Sequence, residues 1–480
     1  MSVIKTTLLE FFSAQANRPI IVAYSGGVDS QVLLHALAAL KQQQYLSQPL
    51  SVCYVNHGLC QQADQWQQSA QYICDELSLP LTVCQVSITT VAQKSLEAQL
   101  RDARYKALSE ASPLNSMIVT GHHCDDQSET FLLALKRGSG LKGLSAMTAV
   151  NNLSKLLPKK LTISDSHRSK EQDIVRPLLK ISRVQIIDYA HQHQLAWIED
   201  ESNQDTVFDR NFIRHEIMPL LKQRWPSILT TIKRSSEHCQ EAELLLSEIA
   251  QQDLSQCQLT KMSLSVSKLK NLSQSRFNNL LRYFLETHGC LMPSVQQLCQ
   301  VYLQFSAPSD KTPAVKVADH WLRRFQDALV LTENFDDISN FRYHFSADCF
   351  TAEQKQTIEL PDQLGHLSLS MQTSQGYLSD VESQKMTMNN SFSIISPLPS
   401  QIVTIRFKHD NSRCLPDFRQ HSRPLKKVLQ ELKIAPWQRK RIPYLYYDDH
   451  LVSAMGYFVC KEYIPQADQA ILCVHWLGQI

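Results

Sequence analysis

The chain has 480 residues, enough for about three domains at roughly 100–200 residues each. Hydrophobic residues make up 43% and charged residues 20%, which excludes global disorder, and the formal charge of +2 excludes an evenly basic nucleic-acid coat while leaving room for a local patch. No apolar run approaches the roughly 18–20 residues of a membrane span, and MSVIKTTLLEFFSAQANRP at the start has neither a basic n-region nor a small-residue cleavage site, so a cytoplasmic location without membrane contact is expected.

In the first third, short apolar runs at Ile20–Ala23, Leu50–Val55, Leu81–Val86 and Met117–Thr120 read as buried strands. Helix-period segments such as Ser30–Leu40 and Asp64–Leu77 lie between them. That alternation predicts an α/β domain with a parallel sheet covered on both faces, and such sheets bind ligands at the carboxyl ends of their strands. Asn151–Gln172 is polar, basic and without period, and reads as a mobile surface insertion. Order returns at Ile174–Leu179 and runs to about Leu221. From Arg224 to about Ala328 the pattern is helical, giving a small helical domain. Beyond Glu333 short strands are expected at Thr357–Leu360 and Leu367–Met371, then a loose connector over 373–400 and a last compact α+β segment from Ile402 to about Trp476. The thirteen cysteines contain no C-x-x-C pair, so unpaired, mostly buried thiols are expected.

The sharpest local signal is IIVAYSGGVDS, Ile20–Ser30. A buried strand runs into Ser25–Gly26–Gly27, and a helix is expected to start around Asp29 or Ser30. The glycines let the backbone turn and approach a ligand, and free N–H groups at the helix start form an anion site. Ser25 and Ser30 add hydroxyls, whereas Asp29 beside phosphate calls for an intervening Mg2+. The lysine of a Walker loop is absent, so the loop suits gripping a leaving pyrophosphate better than γ-phosphoryl transfer.

A second cluster, MIVTGHHCDDQSETFLLALKRGS, spans Met117–Ser139. A strand ends at Gly121 and a helix begins near Asp125, with Asp126 and Glu129 three apart on one face. These carboxylates are suited to holding an ammonium, binding magnesium or taking a proton from an amine; capping is the plainer role for Asp125 and Glu129. Arg137 follows within KRGSG. Arg101 and Arg104 sit three apart in LEAQLRDARY, and Arg210, Asn211 and Arg214 are placed to share one helix face, suited to phosphate or nucleobase contacts.

Between Val403 and Arg441 lie eleven Lys/Arg against three Asp/Glu, a local +8 where the whole chain carries +2, so the rest is −6. Such segregation marks a nucleic-acid face, and Arg413, Arg423, Lys426, Lys427, Arg439 and Arg441 are its candidate contacts. Packing is the expected fate of most of Trp437, Tyr444, Tyr446 and Tyr447.

SGGVDS resembles the loop of the N-type ATP pyrophosphatases (the PP-loop superfamily, with an adenine nucleotide α-hydrolase-like fold), in which ATP adenylates a substrate oxygen and a nucleophile displaces AMP. Together with NHG at Asn56–Gly58, EAQLRDARY, GHHCDDQSET, LLALKRGSG, RPLL at Arg176–Leu179, IEDESNQDTVFDRNFIRHEIMP and the C-terminal segment, it resembles the tRNA(Ile)-lysidine synthetase family over nearly the whole chain. The resemblance implies a catalytic domain over 1–222, a helical tRNA-recognition domain over 223–335 and a basic tRNA-binding domain over 336–480. It implies ligation of L-lysine to the wobble cytidine of the CAU-anticodon tRNA(Ile), with ATP and Mg2+, in a family whose members are commonly dimers. Ser25, Gly26, Gly27, Val28, Asp29 and Ser30 would then grip ATP, with Asp29 facing Mg2+. Asp126 and Glu129 would receive lysine, with Asp126 the first choice for its proton; Arg210 would lie near the reacting groups, and Arg101, Arg104, Arg137 and Arg214 would face tRNA. The alternative is a tRNA thiolase of the same superfamily, for which Cys124, beside Asp125, is the one well-placed thiol.

Overall fold

The four strands expected in the first third, and the two expected beyond Glu333, form in a computed structural model that describes residues 1–58, 62–86, 96–156, 171–306, 313–346, 355–372, 391–466 and 469–478. The chain divides into two compact units, 1–255 with 279–289, and 256–278 with 290–480.

In the first unit, helix α1 (Val3–Ser13) precedes β1 (Ile20–Tyr24), α2 (Val28–Gln42), β2 (Leu50–Asn56), α3 (Ala63–Glu76), β3 (Leu81–Gln85), α4 (Leu96–Ala111), β4 (Met117–Val119), α5 (Cys124–Lys136), β5 (Val150–Asn152) and β6 (Asp173–Val175). The sheet order is β3-β2-β1-β4-β6-β5, with five parallel strands and β5 antiparallel at the edge. Strand alternation splits the apolar residues between two layers. Ile20, Val22 and Tyr24 join Val32, Leu33 and Leu37 of α2 in one core, whereas Ile21 joins Ile118, Ile174, Tyr105 and Leu108 in the other. Both faces are covered, so the strands read as continuous apolar runs. The order reverses between β1 and β4, which places the Ser25–Ser30 loop and the Gly121–Asp126 turn side by side at the carboxyl edge.

The expected insertion begins and ends in ordered structure. Val150–Asn152 pairs with β6, and buried Gln172 donates to the carbonyls of Ser109, Ser112 and Pro113. Residues 157–170 lie outside the described set.

The middle of the chain supplies helices at Ile228–Cys257, Gln274–Thr287 and Val295–Ser306. The sequence pattern does not place an antiparallel sheet of the second unit, built from Gln258–Thr260, Ser263–Ser265, Ala314–Val317, His320–Phe325 and Ala328–Glu333, whose strands alternate with helices only in chain order. Further along the second unit, a five-stranded and a four-stranded antiparallel sheet share a core that includes Leu367, Leu369, Val403, Ile405, Leu472, Val474 and Trp476. Helix Leu425–Glu431 turns Leu425, Val428 and Leu429 inward. Of the loose connector, Ser391–Ile395 is a strand, and 373–390 lie outside the described residues.

Candidate functional site

Gly26 turns the chain out of β1 with φ +82°, a conformation L side chains rarely adopt. A Cβ there would also stand 2.8 Å from the Ile198 Cδ1, whose own backbone N–H donates to the Gly26 carbonyl. Helix α2 then starts at Val28 from Gly27, with no side chain capping it. Ser30 shapes the bend: its hydroxyl donates to the Gly27 carbonyl at 2.9 Å and accepts from the Ser25 N–H at 3.2 Å. Ser25 keeps an exposed hydroxyl, 3.2 Å from that of Ser30. The result is a closed backbone cup whose rim is the positive end of a fifteen-residue helix.

Gly121 allows the facing turn to approach, since a Cβ there would press to 2.9 Å on the Asp29 backbone. Helix α5 begins at Cys124, one residue earlier than expected, and its N-cap is buried His123. The Asp125 N–H donates to His123 Nδ1, and Asp126 Oδ2 accepts from the His123 N–H at 3.0 Å, completing a reciprocal cap. Asp125 itself accepts from the Arg183 N–H at 2.9 Å and pairs with Lys222. Its role is to tie three elements together at this edge.

Asp126 Oδ1 and both Glu129 oxygens meet Arg210 and Arg214. Arg210 donates Nε to Glu129 at 2.8 Å and Nη2 to Asp126 at 3.0 Å. Arg214 donates Nε and Nη2 to Glu129 at 2.7 and 3.0 Å, and Nη2 to Asp126 at 3.2 Å. A π-helical turn, Ile213–Ile217, interrupts the helical stretch just after Arg210 and carries Arg214. Asn211 leaves the expected shared face and donates to the Asp205 carbonyl. Burial opposes the charged form of Asp126, but His123 and Arg210 more than offset it and hold the carboxyl well below its ordinary range. So depressed a group is an effective counter-ion and a weak proton acceptor.

His122 is the opposite case: burial pushes its pKa down to about 3, leaving a neutral ring 2.8 Å from the Thr120 hydroxyl. At His123 burial also disfavours charge, yet Asp29, Asp126 and Asp125 together raise its pKa.

Asp29 Oδ1 is buried and makes no close hydrogen bond; His123 Nε2 pairs with it at 3.4 Å, and Arg183 Nη1 stands 3.9 Å from its Oδ2. A carboxylate with only these loose contacts, beside an anion-binding helix start, fits Mg2+, which takes one or two carboxylates and completes its shell with phosphate and water. Among the described residues no group of three or more His, Cys, Asp or Glu gathers into a protein-only metal cage.

Around this edge, Arg101 and Arg104 are exposed on α4, with the Arg101 guanidinium 5.5 Å from the Tyr105 ring. Arg176 is buried after β6 and donates to the Thr148 carbonyl at 3.0 Å. Arg137 is exposed at the end of α5. The Cys124 thiol is buried and its pKa is raised by that burial, which makes it a poor nucleophile for thiolation. Arg183 and Lys222 carry no signal in the sequence that marks them for this edge, whereas His123 lies within GHHCDDQSET. Lys222 stands 97 positions from its partner, and no local pattern could announce it.

In the second unit, Arg413, Arg423, Lys426 and Lys427 are exposed, and Arg423 pairs with Glu431. Arg439 turns inward, donating Nε to the Ile434 carbonyl at 2.8 Å. Arg441 departs from the expected basic face: it is 7% exposed, paired with Asp362 and stacked 4.2 Å from the Phe335 ring. Burial and pairing make it a packing residue. Tyr444, Tyr446 and Tyr447 are core residues.

Three family models match the chain in order: a PP-loop domain over 1–221, a TilS substrate binding domain over 264–330 and a TilS substrate C-terminal domain over 403–476. The tRNA(Ile)-lysidine synthase of Serratia proteamaculans (strain 568) is 38% identical over 462 residues, 96% of either chain. That of Edwardsiella ictaluri (strain 93-146) is 36% identical over 460 residues, 96% of this chain and 95% of the relative. Among solved structures, the U34-tRNA thiolase from Methanococcus maripaludis aligns with a TM-score of 0.39 at 18% identity, covering 50% of this chain and 78% of that one. With more than a third of aligned positions identical across 96% of its length, this chain belongs to the tRNA(Ile)-lysidine synthase family.

Proposed function

We propose that the carboxyl edge of the parallel sheet is where this chain works, with Ser25–Ser30 gripping ATP and the Asp126, Glu129, Arg210 and Arg214 cluster meeting lysine and the reacting base. The protein is an ATP-dependent ligase that joins lysine to C2 of the wobble cytidine in the CAU anticodon of tRNA(Ile). The product, lysidine, shifts reading from AUG to AUA and the tRNA's identity from methionine to isoleucine. The thiolase alternative gives way to this family membership.

The chemistry explains the division of labour. Cytosine O2 is a poor leaving group, so it first attacks the α-phosphorus of ATP and the bond to pyrophosphate breaks. The unprotonated ε-amine of lysine then attacks C2; the C2–O2 bond breaks, AMP departs carrying O2, and the amine loses its extra proton. N–H donors at the start of α2 are fixed in place before reaction and stabilise charge on the phosphates. Magnesium held by Asp29 would neutralise the departing pyrophosphate. The cytidine is splayed from the anticodon stack to reach this edge.

Asp126 and Glu129 are already satisfied by two guanidinium groups, so lysine can use either carboxylate only if part of that pairing opens. Asp126 then acts through its charge, orienting the amine end of lysine. Exposed Arg101, Arg104, Arg137, Arg413, Arg423, Lys426 and Lys427 are the RNA-facing cations of this reading, and Arg214 shares its guanidinium between the cluster and the substrate. A cytoplasmic location and a homodimer belong to the same reading; no described helix is long and apolar enough to cross a membrane.

One observation carries most of the weight: the start of α2, with no side-chain cap, follows the Gly26 turn and carries the Asp29 carboxylate in its first turn. The test is nucleoside analysis of CAU-anticodon tRNA(Ile) incubated with the protein, ATP and labelled lysine. Label in a new cytidine adduct is expected; a fully active ATP-cleaving preparation that leaves every cytidine unmodified would overturn the reading.

A further inference from the structure

Within the second unit, six side chains from three separate segments converge on one cluster of rings and cations. Trp321, Arg323 and Phe325 alternate along the strand His320–Phe325 and so share one face. Phe335 follows the next strand, Ala328–Glu333. Trp437 lies in the short helix Pro436–Arg439, and Arg441 follows it. The Arg323 guanidinium stands 5.2 Å from the Trp321 ring, 5.5 Å from Trp437 and 5.7 Å from Phe335. Arg441 approaches Phe335 at 4.2 Å, and Phe325 meets Trp437 edge-on at 6.1 Å.

The cluster is anchored on both sides. Arg323 donates Nε to the Thr332 hydroxyl at 2.9 Å, and Trp321 donates its indole N–H to Asn334 at 3.0 Å. The Arg441 guanidinium donates to both the carboxylate and the backbone carbonyl of Asp362. Trp321, Arg323, Phe335 and Trp437 are all half-buried, and the cation–ring contacts run directly between the three segments.

Residues 264–330 and 403–476 match two distinct substrate-domain families, and Arg323 belongs to the first while Trp437 belongs to the second. We propose that Arg323 is a positioning residue for RNA recognition: by sitting among Trp321, Phe335 and Trp437 it fixes the middle substrate segment to the basic C-terminal segment, so that one RNA meets both in a preset arrangement. The guanidinium is the right group for the task. It is always charged, planar and weakly hydrated, so it can face several rings at once, where an ammonium is held by its water. Preset geometry matters because two linked contacts reinforce each other only when both can be made together. The proposal rests on the RNA-modifying reading for the identity of the ligand.

The experiment measures direct binding of CAU-anticodon tRNA(Ile) to the full-length protein, alongside KM and kcat for lysidine formation. Arg323→Ala is expected to raise the tRNA Kd and KM about fivefold to tenfold, the scale of one or two cation–ring contacts, with kcat at saturating tRNA and KM for ATP within about twofold of the parent. Trp437→Leu should match it, Trp437→Phe should bind nearly as the parent does, and the double variant should be no worse than either single one. If Arg323→Ala melts early, the Trp437→Phe and Trp437→Leu pair still decides the matter, because both keep an apolar side chain and only one keeps a ring. Unchanged tRNA binding in a folded Arg323→Ala protein overturns the proposal; so do additive effects in the double variant, or equal weakening by leucine and phenylalanine. Because binding is read without turnover, a protein that binds tRNA through this joint but makes no lysidine would refute the proposed function and leave the positioning role standing.

Discussion

The sheet edge of the first unit and the basic segment of the second use charge in opposite ways. At the edge, Asp126 and Glu129 are matched against Arg210 and Arg214 in a closed, nearly neutral cluster, while Asp29 beside the helix start has only the longer contacts to His123 at 3.4 Å and Arg183 at 3.9 Å. In the basic segment, Lys426 and Lys427 stand exposed on a helix whose other side is core, and their neighbours Arg439 and Arg441 have turned inward. Charges at the edge are buried, where each is worth much and must be paired; those on the segment are solvated, where each is worth little and acts by number. Chemistry needs the first arrangement and RNA attraction the second.

Substitution should expose that contrast most strongly at the edge. Asp29→Ala is expected to lower turnover on the order of 10²–10³-fold, the scale of losing one charge-stabilising group, while leaving tRNA binding near normal. Rates under saturating ATP and tRNA, with binding measured separately, check this; a matched loss of tRNA affinity would erase the contrast.

Glu129→Gln should be next. Glu129 is 2% exposed, and neutralising it leaves two guanidinium groups facing a single carboxylate. Breaking a buried pair in this way costs roughly 3–5 kcal/mol. Urea unfolding measures it, and adding Arg214→Met should recover part of the loss. If the double variant is less stable than Glu129→Gln alone, the pairing is not what holds the cluster.

Acid sharpens the same point. The Asp126 carboxyl titrates well below the usual aspartate range in the folded state. Its contribution to stability is therefore complete above the unfolded value of about 4 and drains as pH falls through the folded one. Asp126→Asn should flatten the stability curve below about pH 4, as read by chemical unfolding at a series of pH values. A variant that keeps the full acid dependence would assign it to other carboxylates.

The smallest effects belong to the basic segment. Lys426→Ala with Lys427→Ala should weaken tRNA binding and reduce its log–log salt slope by about 0.7–0.9 for each phosphate that is no longer neutralised. Arg441→Ala, by contrast, should lower the melting temperature and leave the salt slope unchanged, because its charge is already paired with Asp362. A reduced slope for Arg441→Ala would return it to the RNA face.

What was legible in the sequence follows the range of the interactions. The four strands and the turn at Gly26 depend on apolar runs and on backbone conformations that neighbouring residues dictate, so they could be read directly. Asp126 and Glu129 were placed on one face by helical spacing alone. That Arg210 and Arg214 would close over them was not readable, because the partners lie 81 and 85 positions apart and a π turn sets their approach. The strand pair Ser263–Ser265 with Ala328–Val330 joins short segments across more than sixty residues, which no local period reveals. Arg441 illustrates the limit of composition: it counts toward a basic run, yet its fate is decided by Asp362 and Phe335.

The central claim is that the cup at the end of β1 holds ATP so that its AMP portion passes through the RNA base. The fate of α-labelled ATP, followed with CAU-anticodon tRNA(Ile) and lysine present, tests it most directly. AMP and pyrophosphate are expected in equal amounts, one of each per lysidine formed, with both lost in Asp29→Ala. Cleavage to ADP and inorganic phosphate, or lysidine formed without AMP, would contradict it.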